Sequence, residues 1–250
     1  MIFDRERAMA ELAERVRGCT ACSLARTRTL AVPGEGPIDA EVMLIGEAPG
    51  MHEDRQGRPF VGAAGQFLEE CLAAAGLRRD QVFICNVLKC RPPGNRDPLP
   101  GEIEACRDFL DEQIDIIDPL VIVTLGRFSM AKFFPRQMIS RIHGQPKEIA
   151  GRAYIPMYHP AAALRQANLR DVMLNDFRKI PPLLDRIRSK LAPAPPQPAP
   201  QPAPTLFEPT EPEPVQHAQP GSEPPAAPPQ PPRTAPPARP AQTTQFRLFE

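Results

Sequence analysis

Proline divides this 250-residue chain in two. Twenty of its 35 prolines fall after Lys190, one residue in three from there on. Proline carries no backbone N–H and fixes φ, so such a stretch supports neither a helix interior nor a sheet ladder. Residues 191–244 are therefore expected to form a disordered Pro/Ala/Gln-rich linker, a semi-rigid polyproline-type spacer without a core. All folding has to come from residues 1–190. A body of that size buries about 70% of its unfolded surface, enough for one self-sufficient domain. The chain then ends "QTTQFRLFE", with Phe246, Leu248 and Phe249 beyond a spacer that has no core to receive them.

The body carries 27 Lys and Arg against 25 Asp and Glu. That balance gives no bulk electrostatic signature of nucleic-acid binding. Arg165, Arg170, Arg178, Lys179, Arg186, Arg188 and Lys190 form a locally basic stretch, read mainly as a solvated helix face. "MIFDRERAMAELAERVRGC" lacks the apolar centre of a signal peptide. It reads as an amphipathic helix capped by Asp4, with Met9, Leu12, Ala13 and Val16 on one side. No run of 18 apolar residues occurs, so no membrane span and a cytoplasmic location are expected. In that compartment six cysteines suggest a metal site or reduced thiols rather than disulfides.

Four near-continuous apolar runs, 40–46, 81–87, 119–126 and 153–159, read as strands buried on both faces. Helical patterns at 65–77, 99–117 and 127–135 separate most of them. The alternation predicts an α/β domain with a mostly parallel sheet. Ligands of such sheets bind beyond the carboxyl ends of the strands. "GEAPG" follows the first run there, Asn86 ends the second and His159 ends the fourth.

Cys19 and Cys22 form a C-x2-C pair, which offers two thiolates to one metal centre without strain. Cys90 and Cys106 would join them through the fold. Zinc and a [4Fe-4S] cluster both accept four thiolates, and spacing does not choose between them. Pro and Arg around Cys90 ("KCRPPGNR") suggest an exposed loop. Cys71 and Cys85 sit among apolar neighbours and read as small buried hydrophobes. The segment "GEAPGMHEDRQGRPFVGAAG" (46–65) holds five glycines, Glu47, Glu53 and Asp54, and Phe60, an aromatic placed to stack on a planar ligand.

Four segments, "GEAPGMHED", "GRPFVGAAG", "ICNVLKCRPPGNRDP" and "HPAAALR", resemble the family 4 uracil-DNA glycosylases, the iron–sulfur branch of that superfamily. They occur in the family's order and spacing, and the likeness covers about residues 10–185. It implies a three-layer α/β/α fold around a central four-stranded parallel sheet, and a [4Fe-4S] cluster on Cys19, Cys22, Cys90 and Cys106. It implies a monofunctional enzyme, acting as a monomer on uracil-containing DNA, that flips uracil out and hydrolyses its N-glycosidic bond to start base excision repair. Phe60 would stack on the base and Asn86 would read its N3–H and O4. Glu53 would stand near C5, where thymine carries a methyl. His159, with backbone N–H groups of the 47–50 loop, Ala48 among them, would stabilise charge on O2. Glu47 would orient water or stabilise the sugar cation, and Leu164 and Arg165 would form the wedge.

One position departs from the family. It usually shows His-Pro-Ser where this chain has His159-Pro160-Ala161, which removes one hydroxyl from the DNA-facing surface. A related iron–sulfur subgroup bonds uracil covalently through a histidine in an Arg-Arg-Ile-His insertion after the third cluster cysteine. "RPPGNRDPLPGEIEAC" has no histidine there, so ordinary turnover is expected. The alternatives are a broader-range deaminated-base glycosylase and a non-catalytic DNA-binding or clamp-adaptor module. "QFRLF" (245–249) in turn resembles the peptide by which bacterial repair proteins bind the replication sliding clamp, with Phe246 replacing the usual Leu. The resemblance implies partner contacts through Gln245, Leu248 and Phe249. Its 54-residue linker, at about 3.1 Å per residue, reaches at most ~165 Å.

Overall fold

The computed structural model describes residues 4–191; the rest of the linker and the C-terminal peptide, with Gln245, Phe246, Leu248 and Phe249, lie outside the described residues. The four apolar runs form four parallel strands, β1 (Val42–Gly46), β2 (Phe83–Asn86), β3 (Val121–Leu125) and β5 (Arg152–Met157). A fifth strand, β4 (Lys147–Ile149), pairs antiparallel with β5 at the edge. The four-stranded reading omits it because all three of its residues are exposed and no apolar run marks it. The sheet order is β2-β1-β3-β5-β4.

Both faces of the sheet are covered, as continuous apolar strands require. On one face Val42 and Leu44, Val121 and Val123, and Ile155 meet Phe67, Leu68 and Leu72 of α3 (Ala63–Ala74). Ala163 of α7 (Pro160–Arg165), Met173 and Phe177 of α8 (Asn168–Phe177), and Leu183 of α9 (Ile180–Leu191) complete that core. The alternate residues Met43, Ile45, Phe83, Cys85 and Ile122 meet Leu110, Ile114 and Ile117 of α4 (Pro100–Ile117), and Phe133 of α5 (Arg127–Phe133) packs beside them. Asp4 caps α1 (Arg5–Gly18), accepting from the Arg7 amide at 3.0 Å; Leu12 and Val16 bury the predicted face.

Each buried Leu, Ile or Phe contributes about 1.5–3 kcal/mol, against about 0–1 kcal/mol for an exposed ion pair. The two cores therefore hold the layers together. The basic stretch is largely a solvated face, with Arg170 paired to Glu70, Lys179 to Asp176 and Arg188 to Glu41. Among the described residues no helix is long and apolar enough to cross a membrane.

Candidate active site

β1 and β3 are neighbours in the sheet, and the chain leaves the carboxyl end of β1 toward β2 but that of β3 toward β5, in opposite directions. A crevice opens where strand order reverses in this way. Here it is a cleft of about 620 Å³ whose lining includes Glu47, Ala48, Glu53, Phe60, Asn86, His159 and Arg165.

Glu47 follows β1 directly. Its Oε1 faces the start of α5, where the Phe128 amide donates at 3.4 Å. Burial raises the Glu47 carboxyl above its ordinary range, and the Phe128 and Arg127 amides offset only part of that. Gly126 makes the approach possible. A Cβ there would stand 2.3 Å from Glu47 Oε1 and 3.1 Å from His159 Cβ, and φ is +97°.

Asn86 closes β2, directly beside Gly46 in register. It is 2% exposed, and its Oδ1 has no hydrogen-bond partner among the described residues. A Cβ at Gly46 would lie 2.3 Å from that oxygen and 2.6 Å from the Phe60 ring. Glycine at the last position of β1 therefore lets both side chains converge on the cleft. Phe60 lines the cleft and also belongs to the core, at 5% exposure. Its ring stands 5.6 Å from the His159 ring at 28°.

His159 caps α7, with Pro160 at the first helical position. Its Nδ1 accepts from the Ala161 amide at 3.1 Å. Burial, with Arg165 nearby, pushes its pKa down to about 4, so the ring is neutral at physiological pH. With Nδ1 an acceptor, the proton resides on Nε2.

The segment expected as a loop contains a short helix, α2 (Met51–Gln56), bounded by Gly50 and by Gly57 in the left-handed region. Glu53 braces it. Its Oε1 accepts from the Val61 and Gly62 amides, both at 2.9 Å, and its Oε2 from the Gly50 amide at 3.1 Å. Its carboxylate thus secures the rim. Arg165 lines the cleft, and Leu164 beside it is 49% exposed.

The four cysteines gather at one end of the second face. Cys19 ends α1, Cys22 precedes a single 3-10 turn (Ser23–Arg26), Cys90 follows β2 and Cys106 lies on α4. Cys90, Cys106 and the half-buried Cys22 pack in one cluster with Val16 and Leu88. The Cys90 thiol senses both Cys22 and Cys19, and the Cys106 thiol senses Cys90 and Cys22. Among the described residues no three potential ligands close on a single ion. Four thiols in one region of the fold are the donor set that an iron–sulfur centre takes. Arg28 Nη1 donates to Cys90 Sγ at 3.0 Å. Contrary to the exposed-loop reading, Cys90 is 4% exposed, at the root of an exposed segment that begins only at Pro93. Cys71 and Cys85 are buried, and burial raises the Cys71 thiol to about 12.

Several cleft residues were missed in the sequence. Tyr158 and Ile139 line it, Ile139 from a short turn, α6 (Ile139–Ile142), and so do Arg96 and Arg127. Gly126 and Tyr158 could have been found, since both stand at carboxyl ends of predicted strands. Arg96, bidentate to the buried Glu102, had no such signal.

An α/β domain with a cleft at the switch point of its sheet is the class that the geometry defines. Residues 33–180 match the model of the Uracil DNA glycosylase superfamily, and the chain belongs to that superfamily. Within it the chain is 48% identical over 185 residues to the type-4 uracil-DNA glycosylase of Sulfurisphaera tokodaii, covering 69% of this chain and 83% of that protein. It is 45% identical to the type-4 enzyme of Thermotoga maritima, over 71% and 95% of the two chains. The Archaeoglobus fulgidus type-4 enzyme is 46% identical, over 69% and 92%. At that identity and coverage the chain falls in the type-4 branch.

Proposed function

We propose that this protein releases uracil from DNA by hydrolysis of the N-glycosidic bond, leaving an abasic site for base excision repair. The observation that carries the reading is the Asn86 carboxamide, 2% exposed with Oδ1 unpartnered in the cleft. Uracil offers N3–H to that oxygen and O4 to the neighbouring Nδ2. Cytosine presents the reverse pattern, and the unpaired buried polar group then costs about 1–3 kcal/mol.

The substrate nucleotide must first leave the duplex stack, at a cost of a few kcal/mol. Leu164 would fill the vacated space and Phe60 would stack on the extruded base. The C1′–N1 bond breaks with its electron pair going to uracil. Nε2–H of His159 would donate to the O2 that takes up the charge, helped by the Ala48 amide. Donors preorganised in this way contribute about 10²–10³ in rate. Glu47 would orient water for bonding to C1′ and stabilise the cationic sugar, and the proton that the water loses neutralises the uracil anion. Glu53 would hold the rim close to C5 and leave no room for a thymine methyl.

Cys19, Cys22, Cys90 and Cys106 would hold a [4Fe-4S] cluster, which when bound supplies a cross-link between α1, the segment after β2, and α4. The glycosylase domain would then span residues 1–190, followed by the linker 191–244 and a clamp-binding peptide at 245–250. Gln245, Leu248 and Phe249 support that partner by their likeness to the clamp-binding pattern. Deleting the last six residues should abolish clamp binding and leave activity on short oligonucleotides intact. Equal clamp binding by truncated and full-length protein would remove the peptide from the account.

The test of the enzyme is uracil release from a uracil-containing oligonucleotide by cluster-loaded protein, beside Asn86→Asp and His159→Ala. Release by the wild type and strong loss in both variants is the expected outcome. Tight DNA binding without release would favour a non-catalytic module instead.

A further inference from the structure

Phe60 has φ +50°, in the left-handed region that a bulky side chain rarely adopts. The surrounding contacts hold it there. Arg79 Nη1 donates to the Phe60 carbonyl at 3.1 Å and Nη2 to the Pro59 carbonyl at 2.5 Å. The same guanidinium meets Glu35 Oε1 through Nε at 2.9 Å and through Nη2 at 2.6 Å. Glu35 Oε2 accepts from Arg58 Nε at 2.8 Å. The side chains of Arg79 and Glu35 are only 20% and 26% exposed, so water screens the pair less than it would a surface pair. Burial raises the Glu35 carboxyl, and the two guanidinium groups outweigh it, holding it below the ordinary range.

Glu35 is itself fixed to β2. Its amide donates to the Ile84 carbonyl at 2.9 Å and its carbonyl accepts from the Ile84 amide at 2.8 Å. Ile84 lies two residues before Asn86. The start of α3 closes on the same backbone, since a Cβ at Gly65 would stand 1.9 Å from the Phe60 carbonyl oxygen. The chain Asn86–Ile84–Glu35–Arg79–Phe60 therefore ties the residue that reads the base edge to the residue that stacks on its face. Arg79 does not line the cleft.

We propose that Arg79 is a positioning residue for uracil recognition: together with Glu35 it holds the Pro59 and Phe60 carbonyls and so locks Phe60 in the left-handed conformation that aims its ring into the pocket before DNA binds. The inference rests on the reading that Phe60 stacks on the base. A misplacement of about 1 Å at a recognition group costs up to about a hundredfold in rate, so loosening this clamp has a measurable consequence.

The experiment uses full-length, cluster-loaded protein with Arg79→Met, Arg79→Lys, Glu35→Gln and Phe60→Ala. It reads single-turnover cleavage of a uracil-containing duplex, inhibition by free uracil, and affinity for an abasic duplex. Arg79→Met should lose about ten- to a hundredfold in cleavage rate and bind free uracil more weakly, with abasic-duplex affinity unchanged. Arg79→Lys should recover part of the rate, because an ammonium can still reach a carbonyl. Glu35→Gln should show the same pattern at smaller size, and it carries the test if Arg79→Met does not fold. Wild-type cleavage and uracil inhibition in Arg79→Met and Glu35→Gln would overturn the proposal. So would a parallel loss of abasic-duplex affinity, which marks general loosening. Full activity in Phe60→Ala would instead overturn the stacking reading. An impaired Phe60→Ala beside an unimpaired Arg79→Met would remove the clamp alone.

Discussion

Nδ1 of His159 accepts the backbone amide of Ala161 at 3.1 Å, which fixes the ring's proton on Nε2, the atom left free to serve the cleft. Burial holds this histidine at about 4, so the neutral form persists well below the usual histidine range. The acid limb of the rate–pH profile should then come from Glu47. Its carboxyl is raised by burial, and the role proposed for it uses the carboxylate. The rate should fall as pH drops through that raised value, at higher pH than an ordinary glutamate would give. Single-turnover rates against pH should show Glu47→Gln slow and without the limb. His159→Gln should be about 10²–10³ slower with the limb retained. A limb that survives in Glu47→Gln would assign it to another group.

Gly46→Ala should damage the pocket from beneath. The added carbon would lie 2.3 Å from Asn86 Oδ1 and 2.6 Å from the Phe60 ring, so both walls must move. Overpacking of this kind costs about 1–3 kcal/mol. Uracil release should drop more than tenfold, since a shift of 1 Å at a recognition group costs up to about a hundredfold. Gly101→Ala is the control, because among the described residues nothing stands within 4 Å of its Cβ position. It should keep full activity and gain up to about 1 kcal/mol in denaturant melts. Equal activity in the two variants would contradict the convergence at Gly46.

The sequence made the layers legible and left the rim obscure, for one physical reason. β1, β2 and β3 are buried along their whole length, and burial on both faces writes an unbroken apolar run. β4 is an exposed edge and writes nothing. α2 is six residues of "MHEDRQ", held by Gly50, Gly57 and the Glu53 brace rather than by an apolar stripe, so no helical period announces it. Glu47, Asn86 and His159 were visible because strand ends are predictable places for ligands. Arg79 and Glu35 were not, since 44 residues separate partners that only the folded chain brings together. The left-handed φ of Phe60 leaves no trace in composition.

Behind Asn86 lies a buried lysine held by a carbonyl and a carboxamide. Lys89 is 1% exposed, and its Nζ donates to the Asn86 carbonyl at 2.8 Å and to Gln113 Oε1 at 2.5 Å. Gln113 Nε2 donates onward to the Pro33 carbonyl at 2.6 Å. Burial lowers the Lys89 ammonium from its ordinary range. Gln113→Leu strips one of its two acceptors and should destabilise the fold by about 1–3 kcal/mol or more. Lys89→Met with Gln113→Leu removes donor and acceptor together and should cost less than the sum of the single changes. Denaturant melts of the two singles and the double form the cycle. Strict additivity would mean that the two side chains act independently.

Leu164 is 49% exposed on α7, next to Arg165 in the cleft. An isolated exposed leucine needs no explanation, but one next to a cleft-lining residue can occupy the gap that an extruded nucleotide leaves. Only a duplex has such a gap. Leu164→Ala should therefore slow uracil release from duplex DNA about ten- to a hundredfold, the rate equivalent of losing one buried leucine contact. Release from a single-stranded oligonucleotide should change little. A U·G mismatch is already easier to open than U·A, so the loss should be smaller opposite guanine. Rates of wild type and variant on the three substrates decide the matter. Equal losses on single and double strands would show that Leu164 supports α7 and the His159 it carries, rather than the opened stack.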